Sequence, residues 1–258
     1  MATSLFGDMI FGPVKSRRLG RSLGVNLLPV DGKLCNFDCI YCECGWTDRP
    51  DKPLRFNGRE AIASALEARL RAMSEAGEKL DVITFAGNGE PTMHPHFAEI
   101  VDDTVALRDR FFPSAGVAVL SNATMIGRDS VRKALEKVDR AILKIDSAFP
   151  ETIRIVNGPR FDYSLDKVIE WMNRFEGDIV VQTMFLRGEK DGAVIDNTTD
   201  EEVSAWLDVL DRVKPSQVMI YSIDRDTPYD RLVKVEGDEL ERIAEKVRAR
   251  GYRCDHTV

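Results

Sequence analysis

Between positions 23 and 247 the apolar residues of this chain change period repeatedly. Short apolar runs of strand length lie at 23–29, 82–86, 117–120, 141–145, 179–185 and 218–221. After each comes a stretch at helical spacing. The stripes are Ile62, Leu66, Leu70 and Met73; the stretch 97–111; Val131, Ala134, Leu135 and Val138; Leu165, Val168, Ile169 and Met172; Val203, Trp206, Leu207 and Leu210; and Leu240, Ile243, Ala244 and Val247. Gly77 stands where the first helix needs a cap, and Thr199 with Glu202 has capping-box spacing at the fifth. Strand followed by helix, six times over, implies a parallel sheet with right-handed crossovers and helices outside. Eight such units close a barrel, so six predict an α/β fold of the partial (open) parallel (β/α)6 TIM-like type. As one domain, a chain of 258 residues buries about 70–75% of its unfolded surface. No repeat or linker interrupts it. The expected layout is an N-terminal extension over 1–22, a barrel core over 23–222, and a last helix and tail over 223–258.

In parallel α/β folds the active residues gather where the strands stop. After the first strand come Cys35, Cys39 and Cys42, at spacings of four and three, with Tyr41 directly before the last. Three thiolates on one short loop can hold three irons of a cubane iron–sulfur cluster and leave the fourth iron without a protein ligand. An iron with an open position is a site for chemistry. Cys44 stands close enough to complete a four-cysteine zinc knuckle instead, which stays open at this point. Disulfides fit poorly: the cysteine count is five, and four of them crowd between 35 and 44. No apolar signal peptide precedes them, and no apolar run approaches the ~20 residues of a membrane span. The expectation is a reducing cytoplasm, no membrane, and an oxygen-sensitive protein.

After the second strand comes Gly87-Asn88-Gly89-Glu90-Pro91, whose glycines let backbone carbonyls approach a ligand and whose Glu90 supplies a carboxylate. After the third, Ser121-Asn122-Ala123-Thr124 offers small polar groups. Strand alternation puts Lys144 and Asp146 on one face at the end of the fourth, either facing a ligand or pairing with each other. His94 and His96 flank Pro95, as a metal pair or as a solvated helix start. The net charge of −7 argues against indiscriminate nucleic-acid binding, although Lys15, Arg17, Arg18 and Arg21 form a local basic group just before the first strand. Arg17 and Arg18 can hold a phosphate or carboxylate of a substrate there, or pair with an acid such as Asp38 to brace the cysteine loop.

The cysteine loop resembles the signature of the radical S-adenosylmethionine (SAM) superfamily. The resemblance implies one 4Fe-4S cluster on Cys35, Cys39 and Cys42, with SAM chelating the fourth iron. An electron then splits a carbon–sulfur bond of SAM to give a 5′-deoxyadenosyl radical, which abstracts hydrogen from a substrate. It also implies a low-potential reductant of flavodoxin or ferredoxin type. Carried over residue by residue, it places Tyr41 along the adenine and the Gly87, Asn88, Gly89 and Glu90 turn at the SAM amino group. Ser121 and Asn122 join that set, with Lys144 for the SAM carboxylate and Asp146 for the ribose. The strand from Gln182 to Gly188 resembles that of the molybdopterin-precursor synthase group and makes Gln182 a contact, with Arg187 a weaker one. The opening Phe11-Gly12-Pro13-Val14, Ser16-Arg17-Arg18-Leu19-Gly20 and Ser22-Leu23-Gly24-Val25 is similar to that of the wyosine-synthase-like group. That group carries a second set of cysteines ahead of the motif; here no cysteine precedes Cys35, and Cys44, Cys254 and His256 make a poor second site. The implied substrate is a tRNA base, with a glycyl-radical partner protein or a peptide or metabolite as alternatives. A non-catalytic iron–sulfur or zinc protein is the alternative of another class.

Overall fold

The computed structural model describes residues 5–47 and 55–257. Its contacts divide the chain into two units, each discontinuous in sequence. An amino unit has residues 5–35, 47 and 55–141, and a carboxy unit has 36–46 and 142–257.

The amino unit opens with a hairpin of β1 (Ile10–Ser16) and β2 (Gly20–Val25). Then follow α1 (Arg59–Glu75), β3 (Val82–Phe85), α2 (Phe97–Phe111), β4 (Gly116–Ser121) and α3 (Asp129–Leu135). β2, β3 and β4 pair in parallel, with Val25 beside Phe85 and Phe85 beside Val119. The stripe Ile62, Leu66, Leu70 and Met73 is buried as its spacing predicts. Gly77 ends α1 in a left-handed conformation, φ 65°. Its N–H reaches Ser74 O at 3.1 Å while Glu78 N–H reaches Met73 O at 2.9 Å, the doubled closure of a Schellman cap. Phe85 meets Phe97 edge-on, ring centres 6.1 Å apart, joining β3 to α2.

β5 (Arg140–Lys144) begins in this unit and ends in the carboxy unit. There follow α4 (Pro150–Val156), α5 (Leu165–Asn173), β6 (Val180–Met184), β7 (Leu186–Lys190), β8 (Ala193–Asp196), α6 (Asp200–Val213), β9 (Gln217–Tyr221), β10 (Leu232–Lys234), α7 (Gly237–Ala249) and β11 (Cys254–Thr257). β5, β6, β9 and β11 pair in parallel, in that order. β10, β7 and β8 form a separate antiparallel sheet. Phe185 packs edge-on against Trp206, centres 5.2 Å apart, and fixes α6.

The structure differs from the sequence expectation at several places. The first parallel strand starts at Gly20 and stops at Val25, and the expected extension contains β1. β1 leaves Val14 exposed and has no buried residue, so it carries no apolar pattern to read. α4 is seven residues long, too short for a stripe. The expected tail forms β11, whose Cys-Asp-His-Thr sequence is mostly polar. Thr199 caps α6 as expected, its Oγ1 accepting Glu202 N–H at 3.2 Å. Glu202 does not close the box; its buried carboxylate accepts from Ser147 Oγ at 2.7 Å and from Thr152 Oγ1. The loop after β5 thus gains a brace in place of a reciprocal cap.

Both nitrogens of His94 are engaged. Nε2 donates to Asn57 O at 2.8 Å, and Nδ1 accepts His96 N–H at 3.0 Å. That pattern requires the neutral ring, and burial lowers the pKa from the usual 6.5. The folded state resists a proton that the unfolded chain accepts, so this contribution to stability is full above about pH 6.5 and is lost as pH falls below it. Thermal melts should show the loss as pH falls below about 6.5 in the wild type. His94→Gln should remove that component; an identical Tm–pH slope in both proteins would place it elsewhere.

Candidate active site

In the amino unit the site residues lie beyond the carboxyl ends of β2, β3 and β4. Asn26, directly after β2, is fully buried, and its Oδ1 accepts the N–H groups of Leu28 and Asn88, each at 3.1 Å. The Gly87–Glu90 turn lies against Leu34, the residue before the first cysteine. Leu34 N–H donates to Asn88 O at 2.8 Å, Glu90 N–H to Leu34 O at 3.2 Å, and Gly89 N–H to Gly87 O at 2.9 Å. Gly89 has φ 139°, and a Cβ there would stand 1.9 Å from Leu34 O. Only glycine allows this approach. The Asn88 amide is committed to holding chain: it accepts Phe6 N–H at 2.8 Å and donates to Phe6 O at 3.0 Å and Pro29 O at 2.8 Å.

Glu90 is buried and ties β3 to β4. Its carboxylate accepts from Thr92 N–H at 3.0 Å, Thr92 Oγ1, Ser121 Oγ at 2.8 Å and Asn122 N–H at 2.7 Å. Burial raises its pKa, and these donors oppose the rise. Ser121 Oγ also accepts Ala123 N–H at 3.0 Å, where Ala123 is held at φ 65°. Asn122 Oδ1 accepts Thr124 N–H at 3.1 Å and Thr124 Oγ1 at 2.7 Å, which turns its Nδ2 toward Cys35 Sγ at 3.8 Å.

Arg17 and Arg18 occupy the turn between β1 and β2. That turn is at the amino end of β2, about 20 Å of strand from Asn26. They are at the opposite end of the strand from the residues just described. Asp38, in the carboxy unit, is 3.8 Å from Arg160.

In the carboxy unit Asp146 is the hub. Its Oδ2 accepts from Tyr41 OH and from Asn157 Nδ2 at 2.5 Å, and its Oδ1 accepts Met184 N–H at 2.9 Å. Lys144 donates to Tyr41 OH, lies 4.6 Å from the centre of the Tyr41 ring, and is 3.7 Å from Asp146. The two residues share a face as alternation predicts, and they pair with each other. Burial works against the charge on Lys144, yet Asp146, Cys39, Tyr221 and Cys42 together hold its pKa above the usual lysine range. Burial, then Asp146, raises that of Tyr41. Gln182 sits on β6 beside Lys144 and is 8% exposed, and its amide hydrogen-bonds none of the described residues. Arg187 is committed to Asp196 at 2.9 Å, Thr198 Oγ1 at 2.6 Å and Glu239.

A model of the radical SAM superfamily matches residues 30–200. The chain belongs to the radical SAM superfamily. A UPF0026 protein of Methanocaldococcus jannaschii is 31% identical over 229 residues, 87% of this chain and 66% of the relative. A UPF0026 protein of Helicobacter pylori is 28% identical over 236 residues, 90% of this chain and 71% of the relative. The chain thus spans about two thirds of the length of these curated relatives. Among solved structures, a radical SAM methyltransferase from Sphaerobacter thermophilus gives a TM-score of 0.67 at 17% identity, over 92% of this chain and 65% of that one. TYW1 with a lysine-pyruvate adduct bound gives 0.60 at 14%, over 89% of this chain and 73% of that one. These likenesses carry the fold: α/β, a partial parallel barrel as the strand–helix count predicts.

Radical SAM proteins use SAM and an iron–sulfur cluster, and the residues here fit a cluster. Cys35, Cys39 and Cys42 form no disulfide. Lys144 is within electrostatic reach of the sulfurs of Cys39 and Cys42, and a nearby cation favours the thiolate that ligates metal. Among the described residues no group of three or more His, Cys, Asp or Glu surrounds a single-ion position. Cys254 is buried, and burial outweighs the Arg248 cation and pushes its pKa up to about 12. Sequence reading missed Asn26, Thr92 and Asn157. The signal for the last was the Asn157-Gly158-Pro159 turn that ends α4, a helix the period did not reveal.

Gly89→Ala should lower stability by roughly 1–3 kcal/mol, because the left-handed backbone and the carbonyl of Leu34 both oppose a Cβ. Urea unfolding measures this; a midpoint equal to the wild type would show that the turn relaxes freely.

Proposed function

We propose that the chain is a radical SAM enzyme, with residues 1–258 acting as one radical SAM domain in the cytoplasm. In this reading Cys35, Cys39 and Cys42 hold one 4Fe-4S cluster and leave its fourth iron to SAM. The carrying observation is the triad itself: three cysteines at this spacing, none in a disulfide, inside the matched stretch, with the Lys144 ammonium near two of the sulfurs. When bound, the cluster supplies one low-potential electron, received from a flavodoxin- or ferredoxin-type donor, for cleaving SAM to methionine and a 5′-deoxyadenosyl radical that abstracts hydrogen from the substrate.

The chain's own groups bind and orient SAM. Gly87, Asn88 and Gly89 offer backbone carbonyls to its amino group. Glu90 adds charge through Oε2, which has one donor where Oε1 has three. Ser121 and Asn122 complete that wall. Lys144 faces the SAM carboxylate, Tyr41 the adenine and Asp146 the ribose. Gln182 is the best-supported contact, because the residue is buried while its amide hydrogen-bonds none of the described residues. The substrate we propose is a tRNA base, supported by the wyosine-synthase-like opening of the sequence. The arginines of the β1–β2 turn lend it no support.

Anaerobic reconstitution should give a brown protein with about four irons per chain. Iron should be lost in Cys35→Ala, Cys39→Ala and Cys42→Ala, and kept in Cys44→Ala and Cys254→Ala. With dithionite and SAM the wild type should release 5′-deoxyadenosine and methionine, and tRNA should raise the yield. A reconstituted protein that leaves SAM intact would refute the enzyme reading, and indifference to tRNA would refute the substrate.

Calorimetry tests the contacts. Gln182→Ala should weaken SAM binding by about 0.5–1.5 kcal/mol and Glu90→Ala by about 1.5–3 kcal/mol, with iron content unchanged for Gln182→Ala. Unaltered affinity in both would displace SAM from these residues.

A further inference from the structure

Residues 156–160, Val-Asn-Gly-Pro-Arg, start at the last residue of α4 and run antiparallel along 36–40 of the cysteine loop. Ile40 N–H donates to Val156 O, Asp38 N–H to Gly158 O and Arg160 N–H to Asn36 O, each at 3.0 Å. Phe37 and Pro159 form the bridge between them. A Cβ at Gly158 would stand 2.7 Å from Asp38 O, so the two backbones are as close as a glycine permits.

This zipper sets Asn157, 2% exposed, against the loop. Its Nδ2 is 3.8 Å from Cys39 Sγ and 2.5 Å from Asp146 Oδ2. An amide nitrogen carries two hydrogens, so one serves the carboxylate and the other the sulfur. The carboxylate accepts only, which fixes the orientation of the amide. In the amino unit Asn122 repeats the arrangement on Cys35: Thr124 holds its oxygen and its Nδ2 lies 3.8 Å from the sulfur. Two cysteines of the triad therefore each receive a side-chain amide N–H, from separate units of the protein.

We infer that Asn157 sets the reduction potential of the cluster through its N–H on Cys39 Sγ, and that Asn122 does the same through Cys35. The inference rests on the reading that these cysteines hold a 4Fe-4S cluster. Reduction adds one electron to the cluster, and part of its charge falls on the ligating sulfurs. A hydrogen bond to sulfur stabilises the more negative, reduced form and raises the midpoint potential. Asn157 is a positioning and tuning residue. It touches neither substrate nor SAM in this account, and it holds both a cysteine sulfur and the carboxylate that anchors Tyr41.

The test is a redox titration followed by electron paramagnetic resonance, on reconstituted wild type, Asn157→Ala and Asn122→Ala, with iron measured on each sample. Both variants should keep their iron and have lower midpoints. Poised where the wild type is half reduced, each should show a reduced-to-oxidised ratio several-fold smaller, a tenfold change being about 59 mV for one electron. Unchanged midpoints at full iron content overturn the inference and leave the cluster reading intact. Loss of iron from Asn157→Ala makes that amide a structural brace and overturns its tuning role, while the midpoint of Asn122→Ala still decides the case at Cys35. A wild type that takes up no iron overturns the cluster reading, and the inference with it.

Discussion

Asp146 is a carboxylate at the end of a buried strand, and its cost of burial is met by three donors and a cation. Tyr41 OH, Asn157 Nδ2 and Met184 N–H satisfy its oxygens, and Lys144 lies 3.7 Å away. Each partner comes from a different part of the carboxy unit: the cysteine loop, the turn after α4, the end of β6 and β5 itself. A buried charge with one partner removed is worth several kcal/mol of destabilisation. The geometry of the cysteine loop is therefore secured by electrostatics as much as by packing. Truncating any one donor exposes the others to a charge they no longer fully neutralise.

Glu90 plays the corresponding part in the amino unit. Its four hydrogen bonds draw the turn after β3 and the loop after β4 together, and Asn122 passes that constraint on to Cys35. The polar residues beyond the strand ends thus divide into two kinds. Glu90, Asn88 and Asp146 are largely consumed in holding loops, while Gln182 keeps its amide uncommitted. A carboxylate in a conspicuous motif is a natural guess for a ligand contact, but the donors that Glu90 already accepts show how much of its work is internal.

What the sequence disclosed and what it withheld follow from the length over which each signal is written. α1 and α2 were legible because Ile62, Leu66, Leu70 and Met73, and the stretch 97–111, bury one face over several turns. Cys35, Cys39 and Cys42 stand out in the sequence because three thiols at set spacing on one loop are rare. α4, the β7–β8–β10 sheet and β11 escaped because each is short, and their backbone pairing, not an apolar pattern, defines them. Arg17 and Arg18 lie just before β2 as read, and the β1–β2 hairpin puts them at its amino end. Asn157 was invisible since its partner Cys39 is 118 residues away and nothing local hints at the encounter.

That separation also sets an order of events during synthesis. The cysteine loop leaves the ribosome among the first fifty residues, yet the backbone that shapes it, 156–160, follows after β5 and α4. Long-range pairings of this kind close late, since the intervening chain must first be ordered. For that interval the nascent thiols have sulfur but no template, and any metal they meet is met by a flexible peptide. The shape of the loop is thereby deferred until the chain through residue 160 exists, making the loop an early-made part with a late date of commissioning.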